Sequence, residues 1–225
     1  MLFAQIDGIL TPAELEKAHA LIRQTQFDDG SATVGAIAAS RKRNLQMRAN
    51  SEPARQLAAM VQQALLQNDE FTRLTVPRRM HIAFNRYEAG MEYGPHHDAG
   101  VVGVGMDRAV RTDISMTLFL NHPTDYDGGV LTIDTPFGMQ EVKLPAGSAI
   151  VYPGNLRHWV TPVTRGARLA TIGWVQSMIR NPEQRRIVSD LNLLRRYLVT
   201  SKADEDMQQT AANAYQDLLR QWAEL

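Results

Sequence analysis

The chain has 225 residues, 44% of them apolar and 21% charged, an ordinary globular composition that excludes a disordered chain. Lysine plus arginine and aspartate plus glutamate both number 24, so no bulk charge draws it to nucleic acid or to an anionic membrane. With no cysteine, disulfides, thiolate nucleophiles, iron–sulfur clusters and cysteine-held zinc are excluded, and any metal must be held by nitrogen and oxygen. The N-terminal stretch has no basic region, Asp7 interrupts its apolar run, and no apolar stretch approaches the roughly 18 residues of a membrane span. The expectation is a soluble, cytoplasmic protein.

The first helix signal is Thr11-Pro12-Ala13-Glu14. Thr11 caps, Pro12 suits the first helical position and Glu14 completes a capping box. Leu15, Ala18 and Ile22 follow at helical spacing, and Phe27-Asp28-Asp29-Gly30 reads as the turn that ends the helix. Ser51 starts a second helix, with Ala54, Leu57, Ala58, Val61 and Leu65 on one face. From residue 79 the period becomes two. Strands are predicted at Met80–Tyr87, Asp113–Leu120, Gly129–Asp134, Gln140–Leu144, Ser148–Tyr152, His158–Val163 and Arg168–Gln176. Gly- and Pro-rich turns separate the later ones, a spacing that predicts a sandwich or barrel. Segment 99–112 carries three glycines and reads as a long loop. After Met178 the helical period returns. Asn181 caps, Ile187, Leu191, Leu194 and Leu198 form one stripe, and Met207, Ala211, Ala214, Leu218 and Trp222 form another. The stripe that ends at Trp222 and Leu225 suits packing on the barrel or, on the sharper reading, a homodimer surface.

Six histidines offer metal ligands, and the cluster Tyr93-Gly94-Pro95-His96-His97-Asp98 concentrates two of them. In an extended segment residues i and i+2 share a face, so His96 and Asp98 bind one ion together while His97 points away. A third ligand must come from elsewhere. His158 is the best candidate, because it opens a strand just after the Pro153-Gly154-Asn155 turn. Two histidines and a carboxylate on one face of an ion are the arrangement of non-haem Fe(II) oxygenases. Arg168 lies ten residues beyond His158 on the next strand and shares parity with Trp174. A 2-oxoglutarate molecule fits that pair, chelating the iron with one end and giving its 5-carboxylate to the arginine. Arg165 is the rival, but it lies in the Thr164-Arg165-Gly166 turn and is expected in solvent. His19 and His122 are expected at the surface and His81 as a structural residue of its strand.

Longer words accompany these residues: Arg86-Tyr87-Glu88-Ala89-Gly90-Met91-Glu92-Tyr93-Gly94-Pro95-His96-His97-Asp98, Thr117-Leu118-Phe119-Leu120-Asn121, Tyr126-Asp127-Gly128-Gly129, and Leu144-Pro145-Ala146-Gly147 through Arg168 to Trp174. In these the chain resembles the PKHD-type hydroxylases of bacteria, within the prolyl-4-hydroxylase-like Fe(II)/2-oxoglutarate dioxygenases. The resemblance implies an α+β fold with a mainly β core. That core is a double-stranded β-helix, or jelly roll, with N-terminal helices packed on it and a C-terminal helical extension. The expected regions are 1–78 as helical support, 79–178 as the dioxygenase jelly roll and 179–225 as the extension. The resemblance also implies iron ligation by His96, Asp98 and His158, 2-oxoglutarate binding by Arg168, and L-ascorbate as the reductant that restores Fe(II). Tyr87 and Tyr93 are expected to line the co-substrate pocket or to pack as core aromatics. The substrate, a small molecule or a peptidyl residue, is hydroxylated with release of succinate and CO2. Two other readings remain at this point: a non-catalytic iron or 2-oxoglutarate sensor, and a cupin-like zinc hydrolase, which has no need of Arg168.

Overall fold

In the computed structural model, residues 3–33, 35, 39–104 and 109–224 are described. The first helix, α1 (Pro12–Arg23), starts at the expected capping box: the Thr11 side chain accepts from the Glu14 N–H, and the Glu14 carboxylate accepts from the Thr11 N–H. A short strand, β1 (Ala4–Ile6), precedes it. The helix stops at Arg23, and Phe27–Asp29 is not its terminal turn but strand β2, paired with β4 (Leu45–Met47). Between these two lies β3 (Lys42–Arg43). Helix α2 (Glu52–Gln67) is capped by Ser51, and a one-residue break at Asn68 leads into α3 (Asp69–Thr75).

The β region begins with β5 (Pro77–Glu88) and β6 (Glu92–His96). Segment 99–112, expected as a loop, holds a small hairpin of β7 (Val101–Val102) and β8 (Val110–Arg111), with residues 105–108 outside the described set. Two-residue strands carry too little alternation to register as period two. There follow β9 (Ile114–Phe119), β10 (Tyr126–Gly128), β11 (Leu131–Thr135), β12 (Gly138–Val142), β13 (Ala149–Pro153), β14 (His158–Val160) and β15 (Val163–Ser177). Thus the strand expected over 158–163 divides: β14 stops at Val160, and Val163 opens the longest strand of the chain.

The larger sheet runs β1-β13-β9-β15-β5-β4-β2, with β10 also on β15; the smaller runs β12-β11-β14-β6-β3. Every strand pair in both is antiparallel. Tyr87, Phe119, Ile150 and Tyr152 from the larger sheet meet Leu131, Ile133 and Val160 from the smaller in one buried cluster. This is the interior of a double-stranded β-helix. The larger sheet is buried on its other face too. Ile114, Met116, Leu118, Val151 and Val175 pack there against Ala18, Ile22, Leu57, Val61 and Leu65 of α1 and α2. Strand β9, buried along its whole length, is the result: its alternation separates two cores rather than core from water.

Two helices close the chain, α4 (Pro182–Thr200) and α5 (Glu205–Trp222). They dock on the chain itself. Val188, Tyr215, Leu218, Leu219 and Trp222 pack with Val76 and Ile179, and the Arg73 guanidinium donates to Ser189 Oγ at 2.8 Å. The first expected stripe is out of phase with this face, for Ile187 and Leu194 are exposed; in the second, Ala211, Leu218 and Trp222 turn inward while Met207 and Ala214 are exposed. Leu225 lies outside the described residues. No described helix is long and apolar enough to cross a membrane.

Candidate metal centre and anion pocket

Backbone pairing brings two histidines together. Strands β14 and β6 are neighbours in the smaller sheet, and His158 faces His96 across the ladder. Directly opposed residues on adjacent strands have neighbouring side chains, and here the two ring centroids are 4.3 Å apart. Asp98 follows β6 by two residues. One ligand atom from each of His96, Asp98 and His158 lies within 4.8 Å of the others. Asp98 Oδ2 is 3.9 Å from His158 Nε2.

Hydrogen bonds preset each ligand. His96 Nδ1 is 2.8 Å from the Gly94 carbonyl, and His158 Nδ1 is 3.0 Å from the Leu156 carbonyl. A carbonyl only accepts, so each Nδ1 carries the proton and each Nε2 keeps a free lone pair. Burial, reinforced by neighbouring His158, pushes His96 down from its ordinary range and keeps it neutral, the state that ligates a metal. Ser115 Oγ donates to Asp98 Oδ2. Tyr93 stacks on His96 with centroids 3.6 Å apart, and Tyr152 meets His158 edge-on at 5.3 Å. His97, by contrast, is exposed at the rim.

The three ligands open into a cavity of about 610 Å³, lined by both sheets and by the β7–β8 hairpin. Such a volume suits a co-substrate together with part of a substrate. Arg168 forms one end. It sits on β15 opposite Tyr87 of β5, is 1% exposed, and places its guanidinium 5.4 Å from the Tyr87 ring and 5.3 Å from the Phe119 ring. Its Nε has no hydrogen-bond partner, and among the described residues no carboxylate pairs with it. A buried cation without an anion is costly, and the two rings offset only part of that cost. An anionic guest at this end would balance the charge. Arg165 offers none of this. It is exposed and bound to Asp127, with Nε 2.7 Å from Oδ2.

Trp174 and Arg168 line the same cavity, as their shared parity predicts. Among the lining residues to which the sequence reading gave no role in the site are Ser115, Tyr152, Lys42, Gln46 and Thr33. Ser115 was accessible from its parity on β9. His81, expected as structural, lines the wall beside Trp174, with ring centroids 5.7 Å apart. His19, expected at the surface, is half-buried, with Nε2 2.6 Å from the Leu120 carbonyl, whereas His122 is exposed.

A sequence profile of the 2OG-Fe(II) oxygenase superfamily matches residues 82–176. A PKHD-type hydroxylase of Paraburkholderia phymatum is 42% identical over 99% of this chain and 100% of its own. Another, of Synechococcus elongatus, is 42% identical over 97% of this chain and 98% of its own. A prolyl-4-hydroxylase of Pseudomonas putida superposes with a TM-score of 0.55 at 22% identity, covering 78% of this chain and 92% of that one, a likeness of fold.

Proposed function

The chain belongs to the PKHD-type hydroxylases of the 2OG-Fe(II) oxygenase superfamily, and from that premise we propose that it hydroxylates its substrate using Fe(II) and 2-oxoglutarate. The observation that carries this reading is one cavity holding both an iron-type donor set and a buried arginine that lacks an anion. His96, Asp98 and His158 would hold the iron. Arg168 would take the 5-carboxylate of 2-oxoglutarate through its planar fork. When bound, iron and 2-oxoglutarate supply the oxidising power that puts oxygen from dioxygen into a C–H bond, with succinate and CO2 as by-products.

The chain's own residues set the geometry. The Gly94 and Leu156 carbonyls fix which imidazole nitrogen faces the ion, and Ser115 fixes the carboxylate rotamer. Asp98 reduces the net charge of the centre. Tyr87 and Tyr93 stand along the co-substrate's path, the first under Arg168 and the second against His96. A zinc hydrolase would leave Arg168 without a role. Ascorbate, proposed as the reductant that keeps the iron ferrous, rests on the family resemblance alone. The substrate is a small molecule or a peptidyl side chain. We also propose a homodimer through the outward face of α4.

The test is anaerobic titration of 2-oxoglutarate into Fe(II)-loaded protein, followed by the visible charge-transfer absorption of the chelate, then release of succinate on admitting oxygen. Both should occur. Asp98→Ala should lose iron retention and turnover, and His97→Ala should keep most metal binding. No chelate band in the wild-type protein would defeat the proposal.

A further inference from the structure

Lys42 is one of only four lysines in the chain, and it is 4% exposed. It enters the cavity on β3, which pairs with β6 so that Lys42 faces Tyr93. Arg168 enters from β15 of the opposite sheet. The Lys42 ammonium donates to Thr33 Oγ1 at 2.9 Å and Gln46 Oε1 at 3.3 Å, and it stands 5.5 Å from the Tyr93 ring. Thr33 and Gln46 line the cavity as well. Among the described residues no carboxylate pairs with Lys42. Two neutral acceptors therefore hold a buried ammonium at the pocket wall, and the carboxylates that attract it, exposed Asp29 and the metal-side Asp98, act on it only through space. Burial pushes its pKa down to about 8, and the attraction of Asp29 and Asp98 offsets only part of that.

Resting on the function proposed above, the charges can be totalled. Fe(II) brings two positive charges, Asp98 one negative, 2-oxoglutarate two negative and Arg168 one positive. These cancel, and the neutral histidines add nothing. Both carboxylates of 2-oxoglutarate are used, one at the metal and one at Arg168. Lys42 remains, a desolvated cation beside a neutral centre. We propose that Lys42, held by Thr33 and Gln46, anchors a carboxylate or comparable oxyanion of the substrate, and that the substrate is an anion with an apolar body. The wall suits such a body, for Val101, Val102, Met116, Ile172 and Trp174 line the same cavity. An anionic anchor fixes one point of the substrate, and apolar contact lets its C–H bonds lie towards the metal.

The experiment compares an acid with its neutral isostere. N-acetyl-L-leucine and N-acetyl-L-leucinamide are titrated calorimetrically, at millimolar concentration, into the anaerobic Fe(II)- and 2-oxoglutarate-loaded protein. The wild-type chain should bind the acid about tenfold or more tighter than the amide, a difference of about 1.4 kcal/mol. In Lys42→Met that preference should vanish through loss of acid binding, while Lys42→Arg keeps part of it. The 2-oxoglutarate affinity of Lys42→Met, read from the chelate absorption, should stay within about twofold, because the proposal gives Lys42 no role in holding the co-substrate. That band also reports that the variant is folded; should Lys42→Met fail to fold, the wild-type comparison and Lys42→Arg still decide. Equal binding of acid and amide, binding of neither, or weakened 2-oxoglutarate binding in Lys42→Met overturns the proposal. Failure of the wild-type protein to give the chelate band would instead overturn the function on which it rests.

Discussion

Arg168 is a cation between two aromatic rings with its Nε unsatisfied, so a carboxylate of the proposed co-substrate would complete its environment. Removing one partner of such a buried pair costs roughly 2–5 kcal/mol. Arg168→Ala should therefore weaken 2-oxoglutarate binding by about 30-fold or more, with iron binding little changed. Arg165→Ala is the control: its guanidinium is exposed and tied to Asp127, and anaerobic titration should find it nearly silent. A large loss in Arg165→Ala instead would move the role. Ser115 makes the second prediction at this scale. Its hydroxyl donates to the Asp98 oxygen that faces His158. Ser115→Ala frees that carboxylate and should cost about 10- to 100-fold in Fe(II) affinity, measured by competition with a chelator. Unchanged affinity would mean that the backbone alone orients Asp98. The contrast between these residues shows what a sequence displays. His96 and Asp98 are two apart on one extended segment, so their shared face is local information. Ser115 reaches Asp98 from 17 residues away, and Lys42 reaches the cavity through a two-residue strand. Lys42 leaves no periodic trace, and the parity of Ser115 on β9 gives its face but not its partner.

At the scale of elements, the decisive pairing is β5 with β15, in register from Ala167 against Glu88 to Gln176 against Arg79. Inward parity along both strands carries Tyr87, Arg168, His81 and Trp174 into one cavity. That parity was legible, because long half-buried strands alternate. Helix α5 was legible at Ala211, Leu218 and Trp222, but α4 was not: its inward face uses Arg185, Val188 and Ser189, so polar residues with buried stems stand where an apolar stripe was sought. Counting apolar residues alone selects Ile187 and Leu194 and rotates the face towards solvent. Strand β10 supplies the prediction here. It crosses β15 so closely that a Cβ on Gly128 would lie 2.0 Å from the Pro162 carbonyl oxygen, and its φ is +69°. Neither the space nor the backbone admits a side chain. Gly128→Ala should destabilise the protein by about 1–3 kcal/mol and loosen the end of the barrel that holds Arg168. Gly100→Ala, where a Cβ meets nothing within 4 Å, should be neutral. Urea unfolding compares the two, and equal stabilities would refute the close approach.

For the whole molecule, the question is what the C-terminal hairpin leaves uncovered. Its inner face is satisfied within the chain: Arg185 donates to the Ile179 carbonyl, Arg196 pairs with Asp69 of α3, and Arg111 pairs with Glu224 at 2.8 Å. Its outer face is not. Ile187, Leu193, Leu194 and Tyr197 share that face and are exposed, at 40%, 54%, 49% and 64%. Contiguous apolar surface of this kind is where subunits meet, and a twofold interface needs only one patch that matches itself. The expected outcome is a dimer in light scattering of the full chain at micromolar concentration. Leu194→Glu combined with Tyr197→Glu would place charges at the centre of that patch and should give a monomer. Because none of these residues lines the cavity, 2-oxoglutarate affinity should survive the change. That second measurement separates loss of the interface from loss of the fold. A monomeric mass for the unsubstituted chain would remove the dimer, and a dimer that persists in the double variant would place the interface on another face.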